Sequence, residues 1–306
     1  MLCREKLSSV LIKMDDSIAM TDILLSTGKF LYLSLLLLSA GCVLFYSVFK
    51  EYLEDSGPSL INFMQKTCVL ALVFGSVFPF VDAVKFAGSV EGIFDFEIQK
   101  MIFQSHLGVF KAMAFFGLLA LTISSFKQTK GGNTLGIIGV TAIAFSFSYT
   151  GHTAENPYRF ILAPLLGLHI AIIIFWYGSL LPLYLILKTE NQDVSGKIVD
   201  QYSKVAFYLV PVIFVAGIVM GTVLMGGKNF FENEYGLLLL LKIGLFSVLM
   251  LFAALNKWKL GPALMANEIN ASKNLQRVIM IEFLIISAIV LLTAILTGYF
   301  SPTGEY

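Results

Sequence analysis

Residues 160–187 read FILAPLLGLHIAIIIFWYGSLLPLYLIL. No charge interrupts them, and the run exceeds the ~20 residues that an α-helix needs to cross a bilayer. The rest of the chain is built the same way. Of its 306 residues 57% are hydrophobic and only 13% charged, with a mean hydropathy of +0.83. A soluble domain cannot cover that much apolar surface, so lipid is most of its solvent. Apolar runs bounded by charges, Gly and Pro fall at 28–49, 67–87, 105–126, 134–151, 160–187, 204–226, 235–256 and 276–298. They predict an all-α integral membrane protein, a bundle of about eight transmembrane helices over 28–300, after an N-terminal tail over 1–27. FDFEIQKMIFQSH (94–106) is amphipathic and predicts a helix along the interface. The tail lacks the compact apolar core and small-residue cleavage site of a signal peptide, so the first span is expected to be retained.

Several functions are excluded early. A net charge of +1 argues against nucleic acid as a partner. No Walker motif, Rossmann glycine fingerprint or CxxCH haem attachment site occurs, which leaves ATP-driven pumping and c-type haem unsupported. The three cysteines, Cys3, Cys42 and Cys68, are scattered and imply no disulfide framework. No nucleophile stands with a base, so no enzymatic step is expected.

Orientation follows from Lys and Arg. Loops after odd-numbered spans hold eleven (Lys50, Lys66, Lys127, Lys130, Lys188, Lys197, Lys204, Lys257, Lys259, Lys273 and Arg277), against four after even-numbered spans (Lys85, Lys100, Arg159 and Lys228). The odd-numbered loops are therefore expected in the cytoplasm and both termini outside it. His106 then opens the third span and His152 closes the fourth at the outer face, while His169 sits roughly 15 Å down the fifth. All three histidines share the outer half of the membrane. Met220 and Met225 end the sixth span at that level, and imidazole with thioether suits copper better than zinc, magnesium or calcium. Cys42 and Cys68 lie toward the inner ends of the first two spans, where thiols offer Cu(I) an inner station.

Asp82, Lys111 and Lys242 sit about six or seven residues inside the outer ends of their spans, an acid and two bases at one depth. They are read either as ion pairs fixing helix packing or as a polar floor beneath the histidines. Glu282, near the inner end of the last span and within reach of Asn256 or Arg277, is read as structural. Pro79, Pro157 and Pro164 place irregular backbone near the histidines, tolerated at membrane depth only where protein or water covers it.

Five motifs in order resemble the copper resistance protein D (CopD) family. They are Thr150-Gly151-His152, then His169 followed by Trp176-Tyr177-Gly178-Ser179, YSKVAFYLVPVIFVAGIVMG (202–221), NEYGLLLLLKIGLFSVLMLFAALNKWKLGPAL (233–264) and LQRVIMIEFLIISAIVLLTAILTGYFSP (275–302). The resemblance covers 100–302. Ser179 replaces the second glycine of the family's W-x-G-G, and Lys204 and Lys257 stand where Arg is commoner. The resemblance implies a multi-pass protein of the bacterial inner membrane that moves copper inward from the periplasm beside a periplasmic copper-binding partner. The expected function is copper uptake for homeostasis and resistance, through a site of His152, His169, His106, Met220 and Met225, with Cu(I) favoured. Two alternatives accompany it. One is a b-type cytochrome with a single haem, for which His169 and His106 are the ligand pair. The other is a subunit that delivers copper to a partner without transport.

Overall fold

The computed structural model describes residues 20–127, 129–226, 229–231 and 234–299, and among them no strand occurs. The described residues form an all-α bundle with eight helices long and apolar enough to cross a membrane. They are α1 (Met20–Phe49), α2 (Gly57–Val77), α5 (His106–Phe126), α6 (Lys130–Ser146), α8 (Arg159–Thr189), α9 (Gln192–Met225), α10 (Glu234–Leu255) and α12 (Ala271–Tyr299). Short helices join them: α3 (Asp82–Ala87), α4 (Phe96–Gln104), α7 (Gly151–Glu155) and α11 (Gly261–Met265). Alternating spans define two faces. Face I holds the start of α1 and the end of α12, and face II holds the opposite ends.

Each expected span has its helix, with longer ends in places. The helix α1 begins at Met20, inside the expected tail, whose residues 1–19 lie outside the described ones. The helices α2 and α9 start about ten residues before their apolar runs. Backbone hydrogen bonding does not stop at the hydrocarbon boundary: Pro58 occupies the first turn of α2, and the Asn191 side chain caps α9 by accepting from Val194 N–H at 2.9 Å. The amphipathic stretch forms α4, capped by Asp95, whose carboxylate accepts from the N–H groups of Glu97 and Ile98.

The helix α8 is the most buried span; α9 and α10 are the least. Its contact with α1 is set by Gly41 and Gly178, whose backbones approach so closely that a Cβ on either would meet the other's Cα. Small residues permit such approach, and in lipid, dispersion over that contact replaces the hydrophobic drive between helices. The neighbouring Tyr177 stacks on Phe283 of α12 (centroids 5.1 Å apart) and pairs its hydroxyl with Ser287 at 2.9 Å. Residues 176–179 thus fasten α1 and α12 to α8. The helix α9 lies on α8 and α10 on α12, and the two meet through side chains, with Phe214 over Phe246 and Met225 beside Tyr235.

At face II, Glu190 clasps the α1–α2 connection. Its Oε1 accepts from the N–H groups of Glu54, Asp55 and Ser56 at 3.0, 3.0 and 2.7 Å, and from the Ser56 hydroxyl at 2.6 Å. Burial pushes this carboxyl up, but the bonds from the Ser56 hydroxyl and the three N–H groups outweigh it and hold it below the usual glutamate range. A group held low stabilises the fold above its unfolded value, ~4.3, and loses that contribution as pH falls through its folded value. Acid below about pH 4 is therefore expected to free the connection. Glu190→Gln should free it at neutral pH, weakening the clasp by about 2 kcal/mol. Hydrogen exchange over residues 50–57 reads both.

Candidate functional site

The three histidines occupy different surroundings. His106, capped by Ser105 at the start of α5, is exposed on face I, its ring 6.4 Å from that of Tyr149. Arg159 lies over the same tyrosine at 4.9 Å. His152 belongs to α7, and its side chain lies outside the described residues. The turn before it explains its glycine: Gly151 has φ +61, a left-handed conformation that side-chain-bearing residues rarely adopt. Ser148 ties this turn to α8 by donating to the Ala163 carbonyl at 2.7 Å. His106 and the backbone of His152 thus share one surface of face I.

His169 lies deeper and faces elsewhere. Gly167, two residues before it, packs against Phe145 of α6, which turns His169 toward α9. There its ring lies against Gly217 and within hydrogen-bonding reach of the Ile213 backbone, while Nδ1, shielded from solvent, has no partner among the described residues. A neutral imidazole keeps a lone pair on the ring nitrogen that bears no hydrogen, and Nδ1, with no partner among the described residues, is free to be that nitrogen. Met220 sits one turn beyond Gly217 toward face I on the same interface, packed with Leu162, Leu165 and Leu166 of α8. Met225 belongs to a separate apolar cluster with Tyr235 and Leu296. His169 and Met220 thus face the same α8–α9 interface, Met220 nearer face I, while His106 and Met225 lie outside it. Among the described residues, no three of His, Cys, Asp and Glu group as a metal site.

The intramembrane charges divide. Lys111, 3% exposed, pairs with Asp82 at 2.9 Å, donates to the Pro79 carbonyl freed by the break after α2, and stands 5.6 Å from the Phe103 ring. Lys242, half-buried on α10, is apart from that pair and within electrostatic range of His169. Cys42 and Cys68 are free thiols, both fully buried where α1 and α2 meet, and within electrostatic range of each other. Cys42 donates to the Gly178 carbonyl at 3.7 Å.

A second polar group lies further along α8 toward face II. Trp176 is two turns beyond His169 and so on the same face. It packs edge-on against Phe246 and reaches Glu282 of α12 with its indole N–H. Asn256, first residue of a π turn (Asn256–Leu260) that extends α10, donates through Nδ2 to Glu282 Oε1 at 3.0 Å. Tyr202 of α9 donates to the Trp176 carbonyl at 3.4 Å. Sequence reasoning left Asn256 and Arg277 open as partners of Glu282, of which the structure has Asn256, and did not anticipate Trp176 or Tyr202, which carry no charge to mark them. It also missed Lys29 and Lys85, which flank Gly298 near the end of α12, Lys85 donating to its carbonyl at 3.4 Å.

Residues 196–296 match the family model CopD, Copper resistance protein D. The match covers 101 of the 306 residues, and over them the chain is similar to the copper resistance protein D family; its apolar helices support a multi-pass membrane protein. It takes in α9, α10, the π turn and most of α12. No curated protein and no solved structure matches the chain.

Proposed function

We propose that the chain carries copper ions inward across the bacterial inner membrane, with His169 and Met220 forming an intramembrane station for Cu(I) between α8 and α9. The observation that carries this reading is the buried, unpartnered Nδ1 of His169 on the interface that also holds Met220. A neutral imidazole with a thioether is a soft, low-coordinate set suited to Cu(I), whereas zinc sites take four ligands and magnesium or calcium take oxygen. The Lys and Arg count supports a periplasmic face I. His106 and His152 there form the surface on which a periplasmic copper-binding protein would unload. An inside-negative potential then favours inward movement by ~2.3 kcal/mol per charge per 100 mV. Trp176, two turns beyond His169 toward face II on the same face of α8, packs against Phe246. Cys42 and Cys68 offer thiols on the inner side of α1 and α2, off this line.

Cu(I) titration of the purified protein against a chelator tests the station. His169→Ala is expected to weaken binding about a hundredfold, with Met220→Leu smaller, since a lost ligand costs at least as much as a lost outer-shell partner. Wild-type affinity in His169→Ala would overturn the assignment. A Soret band that disappears in His169→Ala would make this a haem protein instead.

A further inference from the structure

The carboxyl of Glu282 is 3% exposed in the membrane interior, and among the described residues no cation pairs with it. Its surroundings are uncharged. From α8 come the Trp176 indole and Tyr177, whose hydroxyl is held by Ser287; from α9 comes Tyr202, turned to the Trp176 carbonyl. From the π turn comes Asn256. The nearest cation in sequence on that turn, Lys257, donates instead to Ser203 at 3.2 Å. Arg277, on α12 itself, makes no ion pair with Glu282 among the described residues. An ionised carboxylate here would be desolvated and uncompensated, which costs several kcal/mol.

The amide opposite it carries the complementary defect. Asn256 gives Nδ2–H to Glu282 Oε1, yet its own Oδ1, shielded from solvent, has no donor among the described residues. A carboxylate has no hydrogen to give it. A carboxylic acid does, and an acid facing an amide forms two hydrogen bonds side by side, N–H to C=O and O–H to C=O. The π turn adds a residue to the helical repeat at this point and thereby re-aims Asn256; such insertions are frequent at functional sites.

We infer that Glu282 is a proton-carrying site, a carboxylic acid paired with the Asn256 amide, and that it gives up its proton when a copper ion enters the bundle. The coupling rests on the copper reading above; the acid–amide pair does not. In the step, the Glu282 O–H bond breaks, the proton passes to water at face II, and the carboxylate remains while the positive charge of one Cu(I) replaces it. Copper stays Cu(I) throughout, and the interior gains no net charge. Trp176, which reaches Glu282, shares one face of α8 with His169, so a cation leaving His169 toward face II moves toward the carboxylate.

The test uses full-length protein in lipid. Its infrared spectrum is expected to show a carboxylic-acid C=O band that is lost in Glu282→Gln and shifted in Asn256→Leu. In weakly buffered solution, Cu(I) binding is expected to bleach that band and release about one proton per ion, by charge balance. By linkage Glu282→Gln should bind Cu(I) more weakly than wild type, with an affinity that no longer rises with pH, release no proton and carry no flux, a combination that a packing defect does not produce. Should Glu282→Gln not accumulate, the Asn256→Leu shift and the copper-induced bleaching in wild type carry the test. Absence of an acid band in the wild type overturns the proton site. A band that copper leaves unchanged overturns the coupling. Unaltered Cu(I) affinity in His169→Ala removes the copper station alone, leaving the acid band standing.

Discussion

Gly178→Leu is expected to leave no folded protein to purify. Gly178 on α8 faces Gly41 on α1 with the two backbones in contact, and a Cβ at either place meets main chain of the other helix rather than a movable side chain. The carbonyl of Gly178 also receives the Cys42 thiol, and Ser179 beside it is fully buried. Helix separation by one side chain would open the core from Leu37 to Leu180 and unseat Tyr177 from Phe283. Overpacking a tight interface costs ~1–3 kcal/mol even where atoms can shift. Here backbone blocks the shift, and the largest single contact of the most buried span is lost. Gly178→Ala should be milder and Gly41→Leu equally severe. Yield of monodisperse protein in detergent orders the three.

Asp82→Ala should destabilise the bundle by about 3–5 kcal/mol, because it leaves Lys111 charged in a site made for a pair. That figure falls toward its lower end since Asp82 keeps 34% of its side chain exposed while Lys111 keeps 3%. Lys111→Met alone should cost less, as Asp82 can turn to water. The double variant should recover most of the loss, apolar replacement of a buried pair being close to neutral. Thermal unfolding of the four proteins gives the coupling energy. Copper affinity should be unchanged in all of them, because the pair lies apart from His169.

Depth along the membrane is legible in this sequence, and direction around each helix is not. Long apolar runs located all eight spans, and counting residues from their ends put Asp82, Lys111 and Lys242 at one level. That level holds two separate sites, an ion pair beside α3 and a lysine near His169, because residue count fixes height and packing fixes azimuth. The same distinction separates the histidines: His106 and His152 share face I, whereas His169 is turned to α9 by the packing of Gly167 on α6. Helix ends were misjudged where hydropathy and hydrogen bonding part, at Gly57 and Gln192. Glu190 had no signal at all, since a glutamate after a helix reads as solvated loop until the connection it clasps is seen. Glu282 was read as within reach of Asn256 or Arg277, and Asn256 is its partner, but the π turn that aims the amide has no marker in the apolar pattern around it.

The most direct measurement is Cu(I) uptake into proteoliposomes under an inside-negative potential, comparing wild type with His169→Ala at matched insertion. Potential-dependent copper accumulation that is abolished in His169→Ala is the expected result. Copper bound without flux in the wild type, or flux undiminished in His169→Ala, would contradict a transport path through the α8–α9 interface.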